Sequence, residues 1–160
     1  MRRPAALLLA AFAAAAAAQQ PTPRTLYLLH CAGCHALDGS GVPEKGVPSL
    51  RGSLGQFMRS AEGRAFLVQV PGVNNAGLSD AQIAEVTNWT VRQFSAETAP
   101  SGSAPCTAAE VAEARKSRPV DVARARAALV ERSRAEGIEL PSAFRLPGVD
   151  DGHRNRKDEK

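Results

Sequence analysis

The five residues Cys31-Ala32-Gly33-Cys34-His35 constrain this chain more than any other stretch of its sequence. Two thiols three positions apart, followed at once by an imidazole, form the C-x-x-C-H pattern that is typical of covalent c-type haem attachment. Each thiol can form a thioether with one vinyl group of the same haem, and the histidine is then held where it can bind the iron. The pattern therefore predicts one covalent haem c on Cys31 and Cys34, with His35 as the proximal iron ligand.

Two other uses of a C-x-x-C pair fit this sequence less well. A thioredoxin-like redox pair should accompany a βαβ pattern, and no such pattern is visible in the sequence. Half of a zinc site would need a second C-x-x-C or a pair of histidines to complete four ligands, and neither follows the run. Haem attachment is therefore the favoured interpretation.

The first 18 residues have the features of a secretory signal peptide. Arg2 and Arg3 precede an apolar segment rich in alanine and leucine, and the small residues before Gln19 fit a cleavage site near Ala18. A permanent membrane anchor is the alternative, but the apolar run is short and consists mostly of alanine. We therefore expect a periplasmic protein that begins at Gln19 and keeps no stable membrane anchor.

The charged residues favour neither a nucleic-acid-binding role nor a catalytic one. Residues 19–99 carry six basic and six acidic side chains, and residues 100–160 carry twelve basic and ten acidic ones. A nucleic-acid-binding domain usually has a strong basic patch of one sign. No paired carboxylates and no nucleophile beside a base stand out, so we expect no enzymatic activity and no nucleic-acid partner.

Apolar periodicity and capping residues predict an all-α fold with a long loop after the cysteine run. The predicted helices cover residues 25–30, 56–70 with an interruption at Gly63, 80–95, 108–117 and 121–136. Their predicted N-terminal caps are Thr25, Ser79, Thr107 (with Glu110 completing a capping box) and Asp121. The loop of residues 38–55 is rich in glycine and proline, which favour turns over regular structure.

Residues 25–96 resemble class I c-type cytochromes. The resemblance depends on C-A-G-C-H, on D-G-S-G at 38–41 and on G-V-P-S-L-R-G at 46–52. It implies a small helical fold around one covalent haem, in which the last helix crosses the helix that precedes the haem run. The side chains expected to meet there as core are Leu26, Tyr27, Trp89 and Phe94.

The same resemblance implies roles for two residues of the loop. In the family, a loop proline offers its backbone carbonyl to the proximal histidine, which orients the ring and raises its basicity as a ligand. Pro48 is the best match to that proline, and Pro43 is the alternative. Leu50 matches an apolar residue that packs on the haem, so Pro48 and Leu50 join the predicted cofactor-binding residues.

The distal iron ligand is where the sequence departs from the family. Class I cytochromes usually supply a methionine from the loop before the last helix, but residues 73–78 contain neither methionine nor histidine. Met58 is the only methionine besides the initiator, so one interpretation makes it the sixth ligand. In a second, the iron is five-coordinate or capped by Asn74, Asn75 or water, and Met58 is core. A third, less favoured, brings in His153.

The chain is accordingly divided into a signal peptide (1–18), a haem domain (19–99), a linker with a helical extension (100–147) and a disordered tail (148–160). We expect the extension to pack on the haem domain or on a partner, and Cys106 to be a free thiol or an intermolecular bridge. The resemblance implies a one-electron carrier between a periplasmic dehydrogenase and a cytochrome or oxidase. A haem protein with an open distal site, or a dedicated subunit of a larger dehydrogenase, are the alternatives.

Overall fold

The structure, a computed structural model, describes residues 20–138. The predicted signal peptide and disordered tail, together with residues 139–147 of the extension, lie outside this range. Within it the chain forms helices and no strand, with only one isolated antiparallel bridge between Val42 and Val47. The predicted all-α class is therefore confirmed for the described residues.

Eight α-helices and one short 3-10 turn, Pro43–Lys45, make up the regular structure of residues 20–138. The helices are α1 (Pro23–His30), α2 (Ala32–His35), α3 (Leu54–Phe57), α4 (Ala61–Gln69), α5 (Pro71–Asn74), α6 (Asp80–Phe94), α7 (Ala108–Ala114) and α8 (Val122–Ala135). None of these helices combines the length and the apolar character needed to cross a membrane.

Three of the four predicted caps are confirmed. Ser79 and Thr107 each complete a capping box with the residue three positions on, and the Asp121 side chain accepts from the backbone N–H of Arg124. Thr25 is not a cap, and that prediction is wrong. Because Pro23 suits the first position of a helix, α1 begins two residues earlier and Thr22 caps it instead.

The predicted interruption at Gly63 is also wrong. The break between α3 and α4 lies at Met58–Ser60, and Gly63 is inside α4, where its N–H donates to the capping Ser60 side chain. A β-carbon at Gly63 would collide with the carbonyl oxygen of Phe57. This glycine therefore permits the close packing of α4 against the end of α3, and it does not break the helix.

The main hydrophobic core lies between α1, α6 and α7. Tyr27 of α1 is completely buried, and its ring centroid lies 5.2 Å from that of Trp89 and 5.2 Å from that of Phe94, both on α6. These contacts agree with the expected crossing of α1 and α6. Val111 of α7, also fully buried, belongs to the same core cluster as Tyr27. The helical extension is therefore packed on the predicted haem domain.

A second, smaller core holds α8 against the other end of the molecule. Phe57 and Phe66 are its buried members, with ring centroids 5.5 Å apart, and Leu129 and Val130 of α8 pack against them. The thin apolar face of α8 is thus covered by α3 and α4.

Candidate functional site

The cysteine run lies where α1 ends and α2 begins. The N–H groups of Cys34 and His35 both donate to the carbonyl oxygen of Cys31, at 3.1 and 2.9 Å, so one helical turn carries both thiols and the imidazole. Cys31 is half-buried, Cys34 is exposed, and neither thiol is part of a disulfide. Both thiols are therefore free for covalent attachment, and a single helical turn separates them.

His35 is oriented by a single hydrogen bond. Its Nδ1 lies 3.1 Å from the carbonyl oxygen of Pro48. A carbonyl oxygen can only accept, so Nδ1 carries the proton of the neutral ring and the lone pair lies on Nε2. Burial lowers the pKa of His35 and outweighs the opposing effect of the Pro48 bond, which favours the neutral ring at pH 7. The ring is thus prepared to bind a metal through Nε2.

A glycine allows the Pro48 carbonyl to approach the histidine. A β-carbon built on Gly41 would lie 2.5 Å from the carbonyl oxygen of Pro48, and Gly41 has a φ of +66°, which other residues rarely adopt. The Gly41 N–H in turn donates to the carbonyl of His35 at 3.0 Å. Sequence reasoning recognised the D-G-S-G segment as part of the loop, but only the fold shows why Gly41 is needed.

Further hydrogen bonds fix the loop that carries Pro48 and Leu50. The N–H of Leu50 donates to the carbonyl of Gly39 at 2.8 Å, and the Ser95 hydroxyl donates to the carbonyl of Leu50 at 2.6 Å. Arg51 forms an ion pair with Asp38, and its Nε also donates to the Asp38 carbonyl. Leu50 itself is buried in the main core. No sequence pattern indicates this role of Ser95, because its partner Leu50 lies 45 residues away along the chain.

The environment of Cys31 differs from that of a reactive redox thiol. Burial raises the pKa of Cys31 to about 11, and the neighbouring Cys34 adds to this rise. Reactive cysteines of redox pairs have lowered pKa values, because their surroundings stabilise the thiolate. The electrostatics of the run therefore do not favour the thioredoxin-like alternative.

Several exposed apolar side chains lie near the run along the chain. Four large hydrophobic side chains are exposed among the described residues, and three of them lie within three positions of the run, namely Leu28, Leu29 and Leu37. Leu29 and Leu37 are 71% and 75% exposed. Exposed apolar side chains that form a contiguous patch usually mark a binding surface, and these three leucines are neighbours of the two thiols in the sequence.

The residues considered as distal ligands of a haem iron lie in two parts of the chain. Met58 is 6% exposed and directly follows α3, so its thioether is inside the protein. Asn74 ends α5 and is 4% exposed, whereas Asn75 is exposed. His153 lies outside the described residues. The structure thus leaves Met58 and Asn74 as buried candidates, and the identity of the ligand stays a prediction.

The loop between α5 and α6 is held by the extension. Arg115 donates to the carbonyl oxygens of Asn74 and Leu78 and forms a 2.6 Å ion pair with Asp80. Arg118 donates to the Asn74 side-chain oxygen at 3.1 Å. No sequence pattern indicates these roles of Arg115 and Arg118, because their partners lie more than 30 residues away along the chain.

Cys106 is part of the attachment of the extension. It is buried in the main core, and its backbone N–H and carbonyl both bond to the side chain of Asn88, at 2.7 and 2.8 Å. Burial raises the pKa of its thiol. Of the two alternatives for Cys106, these surroundings favour the free, unreactive thiol over an intermolecular bridge.

Across residues 20–138, no group of three or more histidine, cysteine, aspartate or glutamate side chains is placed to hold a metal ion. A haem iron takes only one or two ligands from the protein, so this finding concerns sites for a bare ion. Comparisons with models of known protein families, with characterised proteins and with solved structures found no match to this chain.

Proposed function

We propose that this protein is a c-type haem protein of the class I cytochrome kind, with haem attached to Cys31 and Cys34 and bound at iron by Nε2 of His35. The observation that carries the proposal is the 3.1 Å contact between His35 Nδ1 and the Pro48 carbonyl. Two thiols outside any disulfide, a neutral imidazole that leaves Nε2 as its metal-binding nitrogen, and exposed leucines nearby in the sequence together match the requirements of this cofactor.

In this proposal, the protein's own residues hold the His35 ring in place and orient it for the iron. Pro48 fixes the tautomer and the plane of the His35 ring, and Gly41 lets the Pro48 carbonyl reach that ring. Leu50 and Tyr27 hold the adjoining backbone from inside the core, Tyr27 through a hydrogen bond from its hydroxyl to the carbonyl of Ala36. Haem c supplies a reversible one-electron oxidation of its iron.

From these features we infer the role of a single-electron carrier. In this role the protein accepts an electron from a periplasmic dehydrogenase and passes it to a cytochrome or an oxidase, through brief contacts of small area. The exposed leucines beside the run, Leu28, Leu29 and Leu37, support such contacts. The described helices of the extension, α7 and α8, pack on the chain's own cores, which supports a carrier that functions as a single chain.

The test is the covalent attachment itself. The full-length chain is produced in a bacterial host that attaches haem c in its periplasm, and the purified protein is separated on a denaturing gel and stained for haem peroxidase activity. We expect haem to stay on the wild-type band and to be lost from the Cys31→Ser/Cys34→Ser double variant. Cys106→Ser is the matched control, and it should keep its haem. A wild-type band without haem would overturn the proposal.

A second measurement separates the carrier from a ligand-binding haem protein. The absorption spectrum of the dithionite-reduced protein is recorded before and after addition of carbon monoxide. A sharp low-spin spectrum that carbon monoxide does not change means a closed six-coordinate iron, as in an electron carrier. A shift with carbon monoxide means an open or weakly held distal position. The observation that favours a ligand-binding haem protein as the second candidate function is the amide nitrogen of Asn74, which is buried and has no hydrogen-bond partner among the described residues.

A further inference from the structure

Ala36, the residue directly after the proposed proximal histidine, has a strained backbone. Its φ is +60° and its ψ is 167°, and among residues 20–138 it is the only residue other than glycine with a positive φ. These angles belong to a region that glycine occupies readily and that a β-carbon makes unfavourable. Such a conformation persists only where the surrounding contacts hold it, and it often lies at a functional site.

The carbonyl of Ala36 is held from inside the core by Tyr27. The Tyr27 hydroxyl donates to the Ala36 oxygen at 2.5 Å, whereas the N–H of Gly39 donates to the same oxygen at 3.4 Å. Tyr27 is completely buried, and its ring packs on those of Trp89 and Phe94. The position of the hydroxyl is therefore set by the packing of α1 on α6, and the hydroxyl holds the chain where it leaves the cysteine run.

The strained residue joins His35 to the loop that orients its ring. The N–H of Gly41 donates to the backbone carbonyl of His35 at 3.0 Å, which closes residues 35–41 into a tight loop. A β-carbon on Gly41 would lie 2.5 Å from the Pro48 carbonyl oxygen, the same atom that lies 3.1 Å from His35 Nδ1. A change in the backbone of Ala36 would therefore move the His35 ring relative to the carbonyl that orients it.

We propose that Tyr27 is a positioning residue for the proximal iron ligand, because its hydroxyl holds Ala36 in the strained conformation that keeps His35 Nδ1 on the Pro48 carbonyl. This inference rests on the proposed haem function and adds to it a contact that tunes the reduction potential. A firm hydrogen bond from Nδ1 makes the imidazole a stronger donor to ferric iron, which lowers the potential. A weaker bond from Nδ1 raises it.

The first test is the reduction potential of the haem-loaded, full-length protein, measured by a spectroelectrochemical titration. Tyr27→Phe keeps the buried ring and removes the hydroxyl, and we expect the potential to rise. Thr90→Val is the matched control, because it also removes a buried hydroxyl that donates to a backbone carbonyl, that of Thr87 in the same helix. This control should keep the wild-type potential even if its melting temperature falls.

The role of the strain is tested by rescue. In the Ala36→Gly background, residue 36 adopts its positive φ without strain and no longer needs the hydroxyl. We therefore expect Tyr27→Phe to shift both the potential and the melting temperature less in this background than in wild type. If Tyr27 contributed only packing, the two backgrounds would show equal shifts, and that result would overturn the inference.

Ala36→Gly alone gives a readout that does not depend on the folding of a Tyr27 variant. Relief of the strain should raise the melting temperature, because it outweighs the greater freedom of glycine in the unfolded chain. Ala128→Gly, at an exposed position within α8, is the control and should lower the melting temperature. An Ala36→Gly protein that melts below wild type would show that the conformation at residue 36 is not strained, and it would contradict the proposal.

A failure of this inference can be told apart from a failure of the proposed function. A haem-loaded protein whose potential is unchanged by Tyr27→Phe contradicts the inference alone. A purified wild-type chain that carries no covalent haem contradicts the proposed function itself, together with the inference that rests on it.

Discussion

His35 is held by a carbonyl group that can reach it only because residue 41 is a glycine. The hydrogen bond from Nδ1 to Pro48 determines which ring nitrogen is free, and the close approach of Pro48 to Gly41 leaves no room for a side chain. The addition of one methyl group at position 41, as in Gly41→Ala, is therefore expected to disturb the orientation of the His35 ring.

Gly41→Ala should be more destabilising than the same change at Gly46. Both residues have a positive φ, +66° and +78°, which costs an alanine about 1–2 kcal/mol. Only at Gly41 would the new β-carbon also press on a backbone carbonyl, whereas nothing lies within 4 Å of it at Gly46. We expect an extra loss of about 1–3 kcal/mol at Gly41, measured by denaturant unfolding. Equal losses in the two variants would contradict this account.

Met58→Leu distinguishes a ligand from a core residue. Leucine keeps the apolar volume of this buried side chain, at a cost below about 1.5 kcal/mol, but has no sulfur to bind iron. If Met58 is the sixth ligand, the substitution lowers the reduction potential and opens the iron to carbon monoxide. We expect this change, and an unaltered spectrum and potential would remove Met58 from the candidates. Met58→Ala, expected to cost about 2–5 kcal/mol, shows the effect of lost packing.

Helix α7 is attached to the rest of the protein by polar contacts at both ends of its buried face. Arg64 of α4 donates to both carboxylate oxygens of Glu110 and to the carbonyls of Ala104 and Pro105. At the other end, Gln69 donates to the carbonyl of Ala114. These contacts hold α7 where Arg115, the residue after its end, donates to the loop before α6. The stability of α7 therefore affects the position of Asn74, one of the candidate distal ligands.

Glu110 should make this attachment dependent on pH. Burial raises the pKa of Glu110, but hydrogen bonds from the Thr107 backbone and from Arg64 outweigh it, and the net pKa is lowered. A lowered pKa in the folded state stabilises the protein above the unfolded-state pKa, and this stabilisation is lost as the pH falls through the folded-state pKa. We therefore expect Glu110→Gln to lower stability at pH 7 by about 1 kcal/mol or less, with no difference from wild type in strong acid.

The measurement for Glu110 is thermal unfolding of both proteins over a series of pH values. Glu113→Gln is the matched control, since the side chain of Glu113 on α7 forms an exposed ion pair with Lys116, just beyond the end of the helix. A Glu110→Gln deficit that is the same at all pH values would show that the charge of Glu110 is not involved.

The molecule as a whole has one main core to which both the cysteine run and the extension contribute. Cys31 and Ala32 pack against this core from one side, and Val111 and Ala114 are buried members of it. Small domains bury a limited share of their apolar surface and often need a cofactor or a cross-link for stability. A covalent haem on Cys31 and Cys34 would add apolar contacts next to the core against which Cys31 packs.

We therefore expect the full-length chain with Cys31→Ala and Cys34→Ala, which has no attachment for haem, to be unfolded. The measurement is far-ultraviolet circular dichroism with thermal melting, compared with the haem-loaded wild type. A cooperative melt and a wild-type helical signal in the double variant would contradict the expectation, and would show that the protein core suffices.

Local chemistry made much of the fold predictable. Ser79, Thr107 and Asp121 cap helices because their side chains accept hydrogen bonds from N–H groups three residues on, and such short-range bonds can be inferred from sequence. The errors at Thr25 and Gly63 have a different origin. Thr22 and Pro23 offered a better start for α1, and Gly63 is needed for its contact with Phe57, which no local pattern reveals.

The sequence by itself determined the all-α class, the joining of two thiols and an imidazole in one short run, and the loop proline whose carbonyl contacts His35, since these follow from neighbouring residues or from the resemblance to class I cytochromes. Only the tertiary structure decided that Gly41 admits the Pro48 carbonyl, that Ser95 holds Leu50, and that Arg115 and Arg118 hold the loop at Asn74. For Ser95, Arg115 and Arg118 the physical reason is distance along the chain, since these contacts join residues 41 to 45 positions apart and form only once the helices have packed. Gly41 and Pro48 are closer in the sequence, but their approach depends on how the loop folds against His35.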